Sequence, residues 1–132
     1  MFTALIVEDS APFRQLLGDL LRKRFPAMII AEAEKGEEAL RKFHILLPNL
    51  IFMDIELSGE NGLDLTKRIK VDYPKTIVII LTSYDLPEYR KAAAQYGASY
   101  FFPKDSLNVE KIQKVVKSIV ADQGHVADCP TK

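Results

Sequence analysis

Between Pro48 and Ser58 the chain sets an apolar run, Leu50–Met53, directly against an acid, Asp54. An apolar run bounded by turn residues, here Pro48-Asn49 before and Ser58-Gly59 after, has the signature of a strand buried on both faces. Such strands belong to parallel sheets covered by helices on each side, so this stretch points to the α/β class. Asp54 stands at the C-terminal end of the run, where a carboxylate is costly to bury and adds nothing to packing. In open α/β sheets that edge is also where ligands bind. Asp54 is therefore the first residue to question about chemistry.

The rest of the chain supplies the sheet and its cover. Phe2–Val7 is a β-rich apolar run followed by Glu8-Asp9-Ser10. Pro12 suits the first turn of a helix, in which Leu16, Leu17, Leu20, Leu21 and Phe25 recur at helical spacing and form the inward stripe. Arg14, Arg22, Lys23 and Arg24 fall on the remaining surface, and Pro26 ends the helix. Met28–Ala31 reads as a second strand. Gly36 opens a second helix, with Ala39, Leu40 and Phe43 inward, which Pro48 closes. After Asp54 comes a loop, then a helix from Asn61 or Gly62 to about Val71. Thr76–Leu81 is the strongest strand signal in the chain and runs into Thr82-Ser83-Tyr84. A weak alanine-rich helix spans Leu86–Tyr96, with Gly97 as its stop. Ser99–Phe102 is a fifth strand, and Leu107–Ala121 a last helix with Leu107, Ile112, Val115, Val116 and Ile119 inward. Five strands alternating with five helices predict a parallel sheet with helices on both faces and right-handed crossovers.

The totals agree. A chain of 132 residues suits one domain, here residues 1–121, followed by a polar stretch 122–132 that reads as a disordered tail or the start of a linker. The formal net charge is zero, so nothing points to nucleic acid or a membrane surface. The single cysteine, Cys129, excludes an internal disulfide and fits a reducing compartment. The opening residues lack the basic start and length of a signal peptide, and no apolar run approaches a membrane span. The expectation is a cytoplasmic, single-domain protein.

Strands in a parallel sheet all end at one edge, so polar residues far apart in sequence converge there. Strand one delivers Glu8 and Asp9, strand three Asp54, strand four Thr82 and Ser83, and strand five Lys104. Three carboxylates in one pocket repel and call for a counter-charge. Oxygen ligands suit Mg2+, which keeps several of its waters. Asp9 and Asp54 are the expected side-chain ligands, with Glu8 beside them and the Glu56 backbone carbonyl within reach. A carboxylate nucleophile, a divalent ion, a lysine and a hydroxyl together suit phosphoryl transfer, which is mostly positioning and charge neutralisation. Asp54 would attack phosphorus and become an acyl phosphate, Lys104 would pair one phosphoryl oxygen, and Thr82 would donate to another.

Over roughly residues 3–121 the chain resembles the receiver domain of two-component response regulators. The matching pieces are VEDS at 7–10, LIFMDIELSGENGLDL at 50–65, VIILTS at 78–83 and YFFPKD at 100–105. The resemblance implies a flavodoxin-like, doubly wound sheet of order 2-1-3-4-5. It implies Mg2+-dependent transfer from a histidine kinase, or a histidine phosphotransfer protein, to Asp54. It also implies a switch, in which Thr82 moves toward the phosphoryl group and Phe101 turns inward. The face made by the fourth helix, fifth strand and fifth helix would then change its affinity for a downstream protein or a fused output domain. A homodimer is one arrangement this leaves open. The chain departs from the family at Ser58, where proline is usual, and at Asp105, where proline is frequent; Pro103 precedes Lys104 instead.

Each residue alone has a plainer reading. Asp54 could cap a loop, Glu8-Asp9 could be a turn, Thr82 could simply end a strand, Lys104 could be surface charge and Phe101 could be core. Their shared edge is what favours the pocket. Tyr84, Tyr89, Tyr96 and Tyr100 are either a partner surface or an ordinary amphipathic face. His44 reads as helix surface, and His125 with Cys129 are too few to hold a metal. The alternative function is a Mg2+-dependent phosphohydrolase with an aspartyl nucleophile, as in haloacid-dehalogenase-like enzymes. Those carry a DxD motif after the first strand, whereas DIE here follows the third. A flavodoxin relative would need a Ser/Thr/Gly-rich phosphate loop where this chain has EDSAPF.

Overall fold

The structure is a computed structural model, and residues 1–123 of it are described. The chain runs through β1 (Thr3–Val7), α1 (Ala11–Arg24), β2 (Ile29–Ala33), α2 (Gly36–Leu46) and β3 (Leu50–Asp54). A short hairpin follows, β4 (Glu56–Leu57) and β5 (Glu60–Asn61), then α3 (Gly62–Asp72) and β6 (Ile77–Thr82). The last elements are α4 (Pro87–Gln95), β7 (Tyr100–Pro103), a 3-10 turn (Lys104–Ser106) and α5 (Val109–Asp122). Five strands form one sheet in the order β2-β1-β3-β6-β7, with every pairing parallel. Counting only these five, the order is the expected 2-1-3-4-5.

Side chains alternate across a strand, so each central strand feeds two cores. Ala4, Ile6, Leu50, Phe52, Ile79 and Leu81 face α1 and α5. Leu5, Val7, Ile51, Met53, Val78 and Ile80 face α2, α3 and α4. The three central strands are buried on both sides for that reason, as their unbroken apolar sequence requires. Among the described residues no helix is long and apolar enough to cross a membrane.

Most elements lie within a residue or two of their expected places, and the differences have local causes. β2 runs on to Ala33, because this edge strand stays paired with β1 through Val7. Thr82 belongs to β6, in register with Pro103. The segment after Asp54, expected as a plain loop, contains the β4–β5 hairpin. α5 starts at Val109 and not Leu107, because the Asn108 side chain accepts from Lys111 N and caps it there. Leu16, assigned inward, is 66% exposed; Leu17 and Leu21 carry that face of α1. Arg14, assigned to the surface, folds inward, with its Nε 3.3 Å from Glu32 and its Nη1 donating to the Glu8 carbonyl at 2.6 Å. The four tyrosines do not form one surface. Tyr89 and Tyr96 pack on one core, Tyr100 packs on the other, and Tyr84 is exposed. The helix runs one residue past the expected boundary at 121, and residues 124–132, including His125 and Cys129, lie outside the described residues.

Candidate functional site

β1, β3, β6 and β7 end together, and their last residues and following loops enclose a cavity of about 260 Å³. Its lining is Glu8, Asp9, Ser10, Asp54, Glu56, Ser83, Tyr84 and Lys104. Each side chain is placed by the strand it leaves. Asp54 ends β3 in register with Leu81 and is 1% exposed. Glu8 follows β1, and its backbone N–H continues the β1–β2 ladder to the Ala33 carbonyl. Lys104 opens the 3-10 turn after β7.

The lysine joins two of the acids. Lys104 Nζ donates to Glu8 Oε2 at 2.8 Å and lies 3.5 Å from Asp54 Oδ2. It also stands 5.0 Å from the centroid of the Phe13 ring on α1, a cation–π contact that holds the ammonium over the cavity. Glu8 Oε2 accepts a second hydrogen bond from Ser10 N at 3.0 Å. Glu8 Oε1 is buried and accepts none. Asp54 Oδ1 accepts from the Glu56 backbone N–H at 3.2 Å. Burial, then the neighbouring Glu8 charge, push the Asp54 carboxyl up from 3.8 to about 7, against the opposing pull of Lys104. Such a carboxyl is basic and poorly solvated, which suits a nucleophile or a cation ligand.

Asp9 is exposed at the mouth of the cavity. Oxygen donors from Glu8, Asp9, Asp54 and Glu56 share this space, and the buried Glu8 Oε1 accepts no hydrogen bond. Among the described residues no three His, Cys, Asp or Glu side chains group closely enough to hold a metal by themselves. An all-oxygen, incomplete set fits a hard divalent ion that retains water, and does not fit a closed structural metal centre.

Two expected participants stand elsewhere. Thr82 is fully buried and does not line the cavity; its hydroxyl donates to Glu56 Oε2 at 2.8 Å. Phe101 is half-buried on β7, with the Arg90 guanidinium 4.7 Å from its ring centroid. Some contributors escaped sequence reasoning. Phe13 and Arg14 are core-type and surface-type residues by pattern, and only their approach to Lys104 and Glu8 distinguishes them; Glu56 and Tyr84 are expected to flank the pocket, but the bonds from Glu56 to Thr82 and Ser83 are not legible in sequence. Gly62 is another. A Cβ there would fall 1.9 Å from the Asp54 carbonyl oxygen, so the start of α3 packs on the backbone of the central acid. The glycine is visible in sequence, but the contact is not.

Comparison with known proteins bears on what this arrangement is. The family model for the response regulator receiver domain matches residues 4–117. A protein-glutamate methylesterase/protein-glutamine glutaminase of Geobacillus kaustophilus is 34% identical over 130 residues, which cover 93% of this chain and 37% of that protein. Sensory transduction protein LytT of Bacillus subtilis is 35% identical over 117 residues, covering 89% of this chain and 47% of its own. The chain thus spans about a third to a half of the length of these curated relatives. Among solved structures, response regulator protein TrrA of Thermotoga maritima, in complex with Mg2+-BeF, superposes with a TM-score of 0.78 at 32% identity, over 90% of this chain and 99% of that one. A match over residues 4–117 of 132, on a sheet of the expected order, makes this chain a member of the response regulator receiver domain family of two-component signalling.

Proposed function

We propose that this domain, residues 1–121, is a phosphorylation switch that takes a phosphoryl group from the phosphohistidine of a histidine kinase or phosphotransfer protein onto Asp54. The observation that carries the reading is Asp54 itself, buried at the end of β3 and 3.5 Å from the Lys104 ammonium. In its ionised form an Asp54 oxygen attacks phosphorus in line. The P–N bond of the donor breaks, its electron pair stays on the imidazole nitrogen, and that nitrogen takes up a proton. Lys104 holds one phosphoryl oxygen, and the Thr82 hydroxyl turns to hold another. Glu8, Asp9, Asp54 and the Glu56 carbonyl would hold Mg2+, which supplies charge neutralisation at the transferring group. The solved complex of the relative TrrA with Mg2+-BeF supports that assignment by analogy.

The domain on this reading is not an enzyme acting on other molecules; it promotes its own phosphorylation and dephosphorylation. The added dianion is read out through Thr82 and Phe101 on the face made by α4, β7 and α5, toward a downstream protein or a fused output domain. Cytoplasmic placement belongs to the same reading. Incubation with acetyl phosphate and Mg2+ should add one phosphate, seen by intact mass, and Asp54→Asn should abolish it. Equal labelling of the Asn variant would refute the assignment.

A further inference from the structure

If Asp54 carries a phosphoryl group, the hydrogen-bond donors at the end of β6 must serve it, and here they are already engaged. Glu56 Oε2 accepts from the Thr82 hydroxyl at 2.8 Å, and Glu56 Oε1 accepts from the Ser83 backbone N–H at 3.2 Å. The same residue uses its own backbone N–H on Asp54 Oδ1 at 3.2 Å. Residue 56 therefore grips the central acid with its main chain and the β6 donors with its side chain. Tyr84 locks the arrangement further, because its N–H donates to Thr82 Oγ1 at 3.0 Å. The Thr82 hydroxyl has one proton, shared with the Tyr84 carbonyl at 3.1 Å, and it cannot serve both Glu56 and a phosphoryl oxygen. Hydrogen bonds to a charged acceptor are the strong ones, so the contact biases which arrangement is populated. A dianion on Asp54 would also meet the Glu56 carboxylate as a like charge.

We propose that the Glu56 carboxylate is a built-in anionic placeholder, holding Thr82 and Ser83 in the unphosphorylated arrangement until a phosphoryl group on Asp54 displaces it. The proposal rests on the phosphorylation reading above. Glu56 acts through Thr82 and Ser83 and is a positioning residue. A ligand shifts a two-state equilibrium only by its differential affinity, so a contact made in one state alone weakens binding to the other.

Two variants separate contact from charge. Glu56→Ala removes both, whereas Glu56→Asp keeps the charge but is one methylene too short to span Thr82 and Ser83. Both retain the residue 56 carbonyl and N–H. The probe is beryllofluoride with Mg2+, titrated by tyrosine fluorescence or calorimetry. Both variants should bind it about 5- to 10-fold more tightly than the wild type, the size expected of one or two charge-assisted hydrogen bonds. In the ligand-free proteins the Ser83 amide should exchange with solvent about tenfold faster in both variants. If Glu56→Asp matches the wild type in both measurements, charge alone acts and the placeholder is refuted. Unchanged Ser83 exchange in Glu56→Ala refutes it as well. If the wild type binds no beryllofluoride, the phosphorylation reading falls and takes the placeholder with it. Faster Ser83 exchange in both variants would then place the fault in that reading and not in the Glu56 contact.

Discussion

Asp54 combines near-complete burial with a carboxyl pushed up to about 7, chiefly by desolvation and then by Glu8. Unfolding returns it to an ordinary carboxyl near 3.8, so between these values the folded state binds more protons than the unfolded one. The stability tied to this proton is therefore fully present below the lower value and is lost as pH rises through about 7. Three pKa units correspond to about 4 kcal/mol at most, less in an open cavity that admits water. In chelator, the difference in urea stability between Asp54→Asn and the wild type should grow in favour of the variant from pH 4 to pH 8, by about 2–4 kcal/mol. Saturating Mg2+ at pH 8 should stabilise the wild type more than the variant, because a cation favours the ionised acid. A difference that stays flat with pH would show that Asp54 is not the protonated group. The acid's position was legible from its place at the end of an apolar run. Its company of Glu8 and Lys104 was legible too, but the extent of burial and the distances were not, because residues on other strands set them.

The β3–α3 connection shows how an element boundary holds a buried acid. Gly62 donates its N–H to Ile55 O at 2.9 Å, and Asn61 caps α3 by accepting from Leu63 N at 2.7 Å. The chain thus doubles back on itself beside Asp54. A methyl group at 62 would meet the Asp54 carbonyl at 1.9 Å, and backbone cannot yield as a flexible side chain does. Gly62→Ala should cost about 2–3 kcal/mol in denaturant stability through overpacking against the strand end and, on the proposed reading, slow labelling by acetyl phosphate. A variant as stable as the wild type would show that the loop relaxes freely. Sequence placed the start of α3 correctly because Asn-Gly before an amphipathic run is a local signal. The β4–β5 hairpin was missed, since its strands have two residues each and carry no periodicity. The helix α1 shows the opposite failure. Leu16 fits the apolar stripe by spacing, yet it points out because the stripe that packs on the sheet is narrower than the stripe that is apolar.

At the scale of the whole domain, one sheet divides two cores, and both depend on the same central strands. Ile119 on α5 and Ile69 on α3 are buried on opposite sides of it. Ile119→Val and Ile69→Val should each cost about 1 kcal/mol, and the double variant should lose their sum to within about 0.5 kcal/mol. Urea unfolding followed by tyrosine fluorescence and by circular dichroism should remain a single coincident transition in all three variants. Separate transitions would mean that the two cores unfold independently. By itself the sequence determined the class, the five strands and which polar residues follow the strand ends at one sheet edge. It could do so because an apolar run and its bounding turn residues are properties of neighbours in the chain, and parallel strands end on one side by construction. Tertiary structure alone decided the partnerships at that edge. Lys104 binds Glu8 before Asp54, Thr82 binds Glu56, and Arg14 turns in to Glu32 and the Glu8 carbonyl. The physical reason is range: a hydrogen bond is won or lost within about half an ångström, and such distances between strands are fixed only when the whole sheet has packed.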